Sequence, residues 1–379
     1  MALKKINDVP YTARADGRNM AVLLSGGVDS SVTAWMLKEE GWNVAAVHMR
    51  IPLACGKALD DSAAVRAAGH LQIPLWQFDL GDIFREEIIG RFQRAYQRAL
   101  TPNPCVDCNR LLKFTRVSRV IREELGIEHL ATGHYARTET DAAGRTVLRA
   151  GEAGDKDQSY FVYAIPAEKL PFIHFPLGKM PKDATRELAR RAGLPAAETA
   201  DSMELCFAGG GDYRSALPPD LPCRPGDFVD VRGKVLGRHT GIANYTVGQR
   251  KLGVSLGASP HYVLRLLPAE NRIVAGSYDE ALQSAVSANL LVVHQPEKLR
   301  PGAELLGKIR SGARFHPCRV TAVRTDNPPP ALTADDGPYC GTLAVEFLSP
   351  VFAPTPGQHL VVYDDTHAVI AGGEIVETK

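Results

Sequence analysis

The sequence has 379 residues, of which 45% are hydrophobic and 23% charged, and its formal net charge is only +1. This composition is typical of a globular protein with two or three domains, and no apolar run approaches the ~20 residues that span a bilayer. A polyanionic partner must therefore be held by local basic patches and not by the field of the whole molecule. Lys4 and Lys5 precede no apolar segment, so we predict no export signal, a cytoplasmic protein and a flexible extension over residues 1–18.

The first half of the chain alternates apolar strands with helical patterns. Predicted strands cover 21–24, 44–49, 74–79 and 129–133, and predicted helices cover 30–40, 61–71 and 82–100. Strands separated by helices imply a parallel, doubly wound sheet, which binds ligands beyond the carboxyl ends of its strands. The segment 101–109 contains two prolines and is predicted to be a loop before a further helix. We assign this α/β catalytic domain to residues 19–207.

The pattern changes near residue 205. Predicted strands at 228–231, 262–267 and 272–276 indicate a small β-rich central domain, which we assign to residues 208–280. Beyond residue 285 the pattern is all-β, with strands at 305–309, 318–323, 343–347 and 360–363 and a loop at 326–330, which predicts a C-terminal β-barrel over 281–379. Within it, the segment 308–324 holds several Lys and Arg residues and no acid, so it is either a solvated strand face or a polyanion contact.

The segment Ser25–Ser31, Ser-Gly-Gly-Val-Asp-Ser-Ser, joins a predicted strand to a predicted helix. Its two glycines let backbone N–H groups approach an anion, and the helix N-terminus adds a partial positive charge. We predict that Ser30 and Ser31 cap the helix or donate to phosphate oxygens and that Asp29 holds Mg²⁺. The loop lacks the Gly-Lys-Ser/Thr ending of a Walker loop, which argues against ordinary γ-phosphate transfer. A plain glycine turn is the alternative, but the strand–loop–helix order favours phosphate binding.

Three of the seven cysteines lie in a pattern that indicates chemistry. Cys105 and Cys108 form a Cys-x-x-Cys pair in the predicted loop, and Cys206 lies beside a glycine run. One interpretation is that all three are small buried hydrophobes. A second is a persulfide on Cys206 that Cys108 resolves through a transient disulfide. A third is a 4Fe–4S cluster ligated by Cys105, Cys108 and Cys206, and a three-thiolate zinc site is a weaker variant.

The ordered motifs of the chain resemble those of the bacterial tRNA-specific 2-thiouridylases, a branch of the PP-loop ATP pyrophosphatase superfamily. Besides Ser25–Ser31, the matching motifs are Thr101-Pro102-Asn103-Pro104, Cys108-Asn109, Lys113-Phe114, Ala131-Thr132-Gly133-His134-Tyr135-Ala136, Lys156-Asp157-Gln158-Ser159-Tyr160-Phe161, Phe175-Pro176-Leu177-Gly178, Cys206-Phe207 and Tyr245-Thr246-Val247-Gly248-Gln249-Arg250. These motifs run in family order along the chain.

The resemblance implies that ATP with magnesium activates the C2 oxygen of the wobble uridine (position 34) as an adenylate, in tRNAs for Lys, Glu and Gln, and that sulfur replaces it. It implies Cys108 as catalytic nucleophile, Cys206 as persulfide carrier and a sulfur-donor protein or relay as partner; Cys105 is the third catalytic candidate. The implied nucleotide contacts are Leu23, Leu24, Ser25, Gly26, Gly27, Val28, Asp29, Ser30, Met49 and Gly133. The implied tRNA contacts are Asn103, Pro104, Cys105, His134, Lys156, Asp157, Gln158, Arg310 and Gln358.

Three positions depart from the family pattern. Cys105 stands where many members have Asp, which favours the cluster interpretation. Glu204 replaces a glycine beside the persulfide position, and Ser311 stands where an aromatic residue usually follows the arginine. Two other functions are kept as alternatives: a PP-loop ligase or amidotransferase that acts on a small molecule, and a non-catalytic tRNA-binding relic.

Overall fold

A computed structural model describes residues 2–55, 60–152, 154–200, 205–209, 212–218, 221, 223–257, 259–325 and 341–378. The predicted loop 326–330 and Glu204 lie outside these ranges. Within them, no helix is long and apolar enough to cross a membrane.

A six-stranded sheet organises the N-terminal half and confirms the predicted doubly wound α/β domain. Its strands lie in the order Lys4–Lys5, Leu75–Asp79, Asn43–Arg50, Asn19–Leu23, His129–Ala131 and Ile173–His174. All neighbours pair in parallel except the Lys4–Lys5 edge strand. The chain order reverses beside Asn19–Leu23, so the carboxyl end of this central strand is the switch point at which such sheets bind ligands.

Helices cover both faces of this sheet. Val22 and Ala46 face a core that includes residues of the helices Val28–Glu39, Ser62–Leu71 and Lys182–Arg191. Ala21 and Val47 face the opposite core, which the remaining helices cover. These are Gly81–Phe84, Gly90–Gln97, Pro104–Asp107, Ser118–Leu125 and Ser159–Val162, with π-helical stretches at Arg85–Ile89 and Cys108–Val117. Burial of both faces explains why these strands have continuous apolar sequences.

Residues 2–18 are docked on the sheet, in contrast to the flexible extension that we predicted. Lys4 and Lys5 pair with Gln77 and Trp76, and the Tyr11 ring packs edge-on against Trp76 at 5.4 Å. The short strand covers an edge that would otherwise expose unpaired backbone groups.

The segment 101–109 is only partly the predicted loop, because a helix begins at Pro104. Proline is favourable in the first helical turn, where its missing N–H costs nothing. Cys105 therefore lies in a helical turn, and Cys108 opens the π-helical stretch Cys108–Val117. Wide π turns are rare and occur frequently at functional sites.

The rest of the chain forms two β structures and a hairpin. A four-stranded sheet contains Val235–His239, Gly226–Val229, Arg272–Gly276 and Tyr262–Leu267, in that order. A closed antiparallel barrel contains Leu282–Val293, Thr342–Phe352, His316–Arg324, Glu304–Lys308, His359–Tyr363 and Val369–Thr378. The strands Ala136–Thr140 and Thr146–Ala150 form a hairpin that the sequence analysis missed.

A buried ion pair joins the α/β domain to the barrel. Lys308 Nζ lies 2.9 Å from Asp157 Oδ2, and each side chain is only 4% exposed. Removal of one partner from such a pair costs about 3–5 kcal/mol, because the other charge stays buried. Lys308 is therefore an internal anchor and not part of a solvated basic face.

Gly26 provides a sharp test of the loop geometry. Its φ is +84°, and an added Cβ would lie 2.6 Å from the Ala63 carbonyl oxygen. We predict that Gly26→Ala lowers the free energy of unfolding by about 2–5 kcal/mol through left-handed strain and overpacking. The measurement is urea denaturation of Gly26→Ala, of the control variant Gly27→Ala and of the unsubstituted protein.

Gly27→Ala is the matched control. Gly27 has a φ of −75°, and the nearest atom to an added Cβ is Ser25 Oγ at 3.5 Å. We expect a loss of about 1 kcal/mol or less, from the weaker N-cap alone. Equal losses for the two variants would contradict the described loop conformation.

Candidate nucleotide and thiol site

The carboxyl ends of the parallel strands open into a cavity of about 430 Å³, which we call the inner cavity. Seven predicted nucleotide contacts line it: Leu23, Leu24, Ser25, Asp29, Ser30, Met49 and Gly133. Cys105, Cys108 and Cys206 line the same cavity. The structure therefore brings the predicted phosphate loop and the predicted sulfur chemistry into one space. Gly26, Gly27 and Val28 do not line it.

The phosphate loop is shaped by its own hydroxyl groups and by close backbone packing. The helix begins at Val28 with Gly27 as N-cap and has no side-chain cap, so the predicted capping by Ser30 or Ser31 is wrong. Instead, Ser30 Oγ lies 3.1 Å from Ser25 Oγ and accepts from the Ser25 backbone N–H at 3.2 Å. A Cβ at Gly133 would lie 2.9 Å from the backbone nitrogen of Ser30. Only glycine lets the neighbouring strand end pack so closely against this turn.

Asp29 is held by partners that sequence reasoning missed. Lys182 Nζ donates to both Asp29 carboxylate oxygens at 2.7 and 2.8 Å, and the Tyr135 hydroxyl donates to Oδ1 at 2.9 Å. Lys182 lies in the basic helix Lys182–Arg191, so a basic cluster was visible in the sequence. Its partner is 153 residues away.

Asp29 is the single acidic residue that lines the inner cavity within the described chain. Mg²⁺ at nucleotide sites typically takes one or two carboxylates together with substrate phosphates and water. The donor set therefore fits a magnesium ion that arrives with ATP. It does not form a cage built from protein ligands alone.

The packing of the adjacent residue Phe207 positions Cys206 at the inner cavity. Cys206–Ala208 is a short 3₁₀ turn, in which Phe207 is 2% exposed. The Phe207 ring packs edge-on against Phe84 at 6.0 Å and Phe92 at 5.4 Å, and its carbonyl accepts from the Ala54 N–H at 2.8 Å. Because Phe207 is anchored in the core, the adjacent thiol is held at the cavity wall.

All three thiols are poor acids in this environment. Burial raises the pKa of Cys105 to about 11 and that of Cys108 to about 12, and it also raises the pKa of Cys206. Many protein atoms surround Cys105 and Cys206, which raises their pKa. Both residues nevertheless remain accessible to solvent. The positive charge of Lys113 lowers the pKa of each thiol and so offsets part of the rise. Backbone N–H groups further lower the pKa of Cys206 alone among the three.

Lys113 is the second residue whose role sequence reasoning missed. It stands in a matched motif, but no local pattern indicates that its ammonium group would act on three thiols. It lines the inner cavity and also the adjoining one. A nearby cation favours the thiolate, which is the nucleophilic form.

The structure does not show the predicted metal site. Across the described ranges, no group of three or more His, Cys, Asp or Glu residues is arranged to hold a metal ion. The thiols line one cavity, and the iron–sulfur cluster and the three-thiolate zinc site stay predictions.

A second cavity of about 1060 Å³, the outer cavity, adjoins the first. The predicted tRNA contacts that line it are Asn103, Pro104, Cys105, His134, Lys156, Asp157, Gln158 and Gln358. Pro104, Cys105, Lys113, His134, Gln158 and Leu205 line both cavities and form their shared wall. Of the three thiols, Cys105 alone therefore faces both cavities within the described chain.

Two of these residues, Asp157 and Gln358, form hydrogen bonds within the protein. The Asp157 carboxylate accepts from Lys308 Nζ, from the Ser159 hydroxyl at 3.0 Å and from two backbone N–H groups at 2.9 Å. Gln358 Nε2 donates to the Thr101 carbonyl at 2.9 Å. These side chains shape the cavity wall and have little capacity left for a ligand.

Arg310 does not line the outer cavity, although its neighbours Ser311 and Gly312 do. Its guanidinium donates to the backbone carbonyls of Phe352 and Ala353. It also lies over the Phe352 ring at 5.9 Å. Arg310 is therefore bound within the protein, and the predicted tRNA contact at this position stays a prediction.

His134 lies in the shared wall as a neutral side chain. Burial lowers its pKa well below the usual value, and the nearby Lys113 charge lowers it further. Its Nδ1 lies 2.8 Å from the Thr132 hydroxyl. A neutral imidazole can donate or accept a hydrogen bond at a base edge without adding charge.

Two family models match the chain. One, described as a tRNA methyl transferase HUP domain, covers residues 18–210, and the other, described as a tRNA methyl transferase PRC-barrel domain, covers 215–277. A solved 4-thiouridine synthetase–RNA complex with bound ATP aligns with 51% of this chain and 46% of its own at 19% identity. Its TM-score of 0.36 is too low to carry an argument.

Curated relatives match over nearly the whole chain. The tRNA-specific 2-thiouridylase MnmA of a Bradyrhizobium species is 37% identical over 98% of this chain and 94% of its own. The enzyme of the same name from Lachnoclostridium phytofermentans is 35% identical over 95% and 100%, and that of Methylorubrum extorquens is 39% identical over 93% and 92%. By this similarity along almost its full length, the chain belongs to the tRNA-specific 2-thiouridylase family.

Proposed function

We propose that this protein is an ATP-dependent sulfurtransferase that converts the wobble uridine of tRNA to 2-thiouridine. One observation carries the proposal: the Ser25–Ser30 turn and the thiols of Cys105, Cys108 and Cys206 line one cavity. An anion-binding turn and a set of nucleophiles in the same space suit activation of an oxygen followed by its replacement.

The two steps follow from the chemistry of uracil. Its O2 is a poor leaving group, so the oxygen first attacks the α-phosphorus of ATP and releases pyrophosphate. The terminal sulfur of a Cys206 persulfide then attacks C2, and AMP leaves with the oxygen. Cys108 thiolate attacks Cys206 Sγ and breaks the sulfur–sulfur bond, which leaves the terminal sulfur on C2 and forms a Cys108–Cys206 disulfide. An external dithiol reduces this disulfide.

The environments of the thiols support this division of roles. Cys206 is accessible to solvent, as a residue that must receive sulfur from a donor has to be. Burial raises its pKa, and the Lys113 charge and backbone N–H groups offset part of that rise. Cys108 is buried, where it can meet Cys206 without exposure to other oxidants. Cys105 lies in the wall shared with the outer cavity, where we place the target base.

The implied magnesium ion would be held by Asp29 and by the nucleotide phosphates. When bound, it would neutralise charge on the pyrophosphate leaving group. Lys182 already supplies a positive charge at this carboxylate. The Ser25 and Ser30 hydroxyl groups, which line the cavity at the same turn, would donate to phosphate oxygens, and the apolar strand-end residues Leu23, Leu24 and Met49 would pack against the adenosine.

The alternatives explain less of the site. A ligase or amidotransferase that acts on a small molecule has no use for an outer cavity of about 1060 Å³. A non-catalytic relic has no need for thiols beside an anion-binding turn. Methyl transfer, which the family-model descriptions name, requires neither ATP nor a pair of thiols.

The partners that follow from the proposal are tRNAs for Lys, Glu and Gln and a protein that delivers persulfide sulfur. A β-barrel docked beside the cavity provides a surface for the body of a tRNA, which is held mainly through phosphate contacts. Because both ATP and tRNA are substrates, we propose that the reaction takes place in the cytoplasm.

Replacement of Cys206 tests the proposal. We predict that Cys206→Ala abolishes formation of 2-thiouridine, because no other thiol would carry the transferred sulfur. ATP-dependent pyrophosphate release with bound tRNA should persist, since the phosphate loop is unchanged. The measurements are nucleoside mass spectrometry of the tRNA and pyrophosphate release in the same reaction.

Cys223→Ala is the matched control, because Cys223 is exposed but lines neither cavity. It should thiolate tRNA at the unchanged rate. Full 2-thiouridine formation by Cys206→Ala with the same sulfur donor would refute the relay. ATP turnover that is indifferent to tRNA would favour the small-molecule alternative.

Lys113 should control thiol reactivity. Because its positive charge lowers the pKa of all three thiols, Lys113→Gln should raise those pKa values and reduce the thiolate fraction at any pH below them. Well below the pKa, each unit of increase slows alkylation about tenfold. We therefore expect slower iodoacetamide labelling of Cys105 and Cys206 at pH 8.5, read by peptide mass spectrometry.

Lys156→Gln removes the same charge from a residue that lines only the outer cavity. It should leave the labelling rates unchanged. Equal or faster labelling in Lys113→Gln would show that the ammonium group does not stabilise the thiolates.

A further inference from the structure

A third cavity, of about 370 Å³, lies where the helix Gly90–Gln97 approaches the barrel. Four arginines line it: Arg91, Arg94, Arg98 and Arg110. We call it the arginine cavity. Its volume is close to that of the inner cavity, but its wall has a different chemistry and no thiol.

The arginines converge because of their spacing. Arg91, Arg94 and Arg98 are separated by three and four residues, which places them on one face of the helix. Arg110 reaches the same space from the π-helical stretch that opens at Cys108. Like charges at this spacing repel one another, so the arrangement is unfavourable unless an anion neutralises it.

Internal acids neutralise only part of this charge. Arg91 pairs with Glu87 at 3.2 Å, and Arg110 pairs with Asp107 at 3.2 Å. Arg94 and Arg98 are exposed, and neither has an ion pair or a side-chain hydrogen bond within the described part of the chain.

Asp107 and Glu374 are the acidic residues of the lining. Burial raises the pKa of both carboxyls, and the neighbouring arginines offset part of that rise. Four arginines nevertheless outnumber these two acids in the lining. His359 also lines the cavity, and burial lowers its pKa to about 3, so it adds no charge. The cavity therefore keeps a positive potential in the free protein.

The arginine cavity adjoins the outer cavity. Pro102 and Asn103 line both, so this short segment is the ridge between them. Asn103 precedes the helix that carries Cys105. A nucleic-acid strand whose target base enters the outer cavity and that crosses this ridge would place its backbone among the arginines.

We propose that the arginine cavity binds phosphodiester groups of the tRNA strand beside the target uridine, with Arg94 and Arg98 as phosphate ligands. This inference rests on the proposed function, since it assumes that tRNA is the substrate. With a net charge of only +1, the protein needs such a local patch to hold a polyanion. Guanidinium groups are well suited to it, because their planar fork matches two phosphate oxygens.

The test is the salt dependence of tRNA binding by the full-length protein. For Arg94→Gln/Arg98→Gln, we expect weaker binding and a slope of log affinity against log salt that is less negative by about 1.4, from ~0.7 per single-stranded phosphate contact. Arg94→Lys/Arg98→Lys should recover most of the slope, because lysine keeps the charge. Both positions are exposed, so the substitutions should not affect folding.

Arg232→Gln/Arg265→Gln is the control and should leave the slope unchanged, because it removes the same charge from exposed arginines of the central domain that line none of the three cavities. An unchanged slope in Arg94→Gln/Arg98→Gln would overturn the inference while leaving the proposed function intact. Reduced ATP affinity with an unchanged tRNA slope would overturn it too, by making the bound anion a free nucleotide. Failure of the unsubstituted protein to bind tRNA would instead overturn the proposed function.

Discussion

The packing of Phe207 between Phe84 and Phe92 is the contact on which the rest of the account depends. It fixes a segment from the end of the α/β domain against the core beneath the parallel sheet. Without this anchor, the thiol of Cys206 would have no defined relation to the turn that follows the central strand. With it, a nucleophile and an anion-binding loop line one cavity, although 98 residues separate Cys206 from Cys108 in the sequence (206 − 108).

The barrel packs beside the site and also contributes residues to it. Lys308 satisfies the carboxylate of Asp157, and Gln358 holds the Thr101 carbonyl at the edge of the outer cavity. Tyr160 exchanges hydrogen bonds with the backbone of His359, and the Tyr163 hydroxyl lies 2.9 Å from its imidazole. Because these contacts are buried and polar, they fix one docking geometry. The shape of the outer cavity therefore depends on how the barrel docks against the α/β domain.

The sequence predicted the parts of the site that are contiguous in the chain. The order strand, Ser-Gly-Gly turn and helix follows from local patterns, and so does the Cys-x-x-Cys pair. The helix that begins at Pro104 was missed because two nearby prolines also indicate a loop. Partners that are distant in the sequence could not be predicted from it. Lys182 lies 153 residues from Asp29, and Lys308 lies 151 residues from Asp157. Such pairs depend on how domains dock, which periodicity does not report. Spacing alone also does not set whether three thiols that line one cavity ligate a metal, so that interpretation stays a prediction.

The central claim is that nucleotide and thiols occupy one cavity, and protection of cysteines by ATP tests it most directly. Alkylation of each cysteine should be followed by peptide mass spectrometry with and without saturating Mg·ATP, in the absence of tRNA. The account predicts that ATP slows labelling of Cys105 and Cys206 and leaves exposed Cys223 unchanged. Equal labelling of all three cysteines with and without ATP, under conditions in which ATP binding is demonstrated, would contradict it.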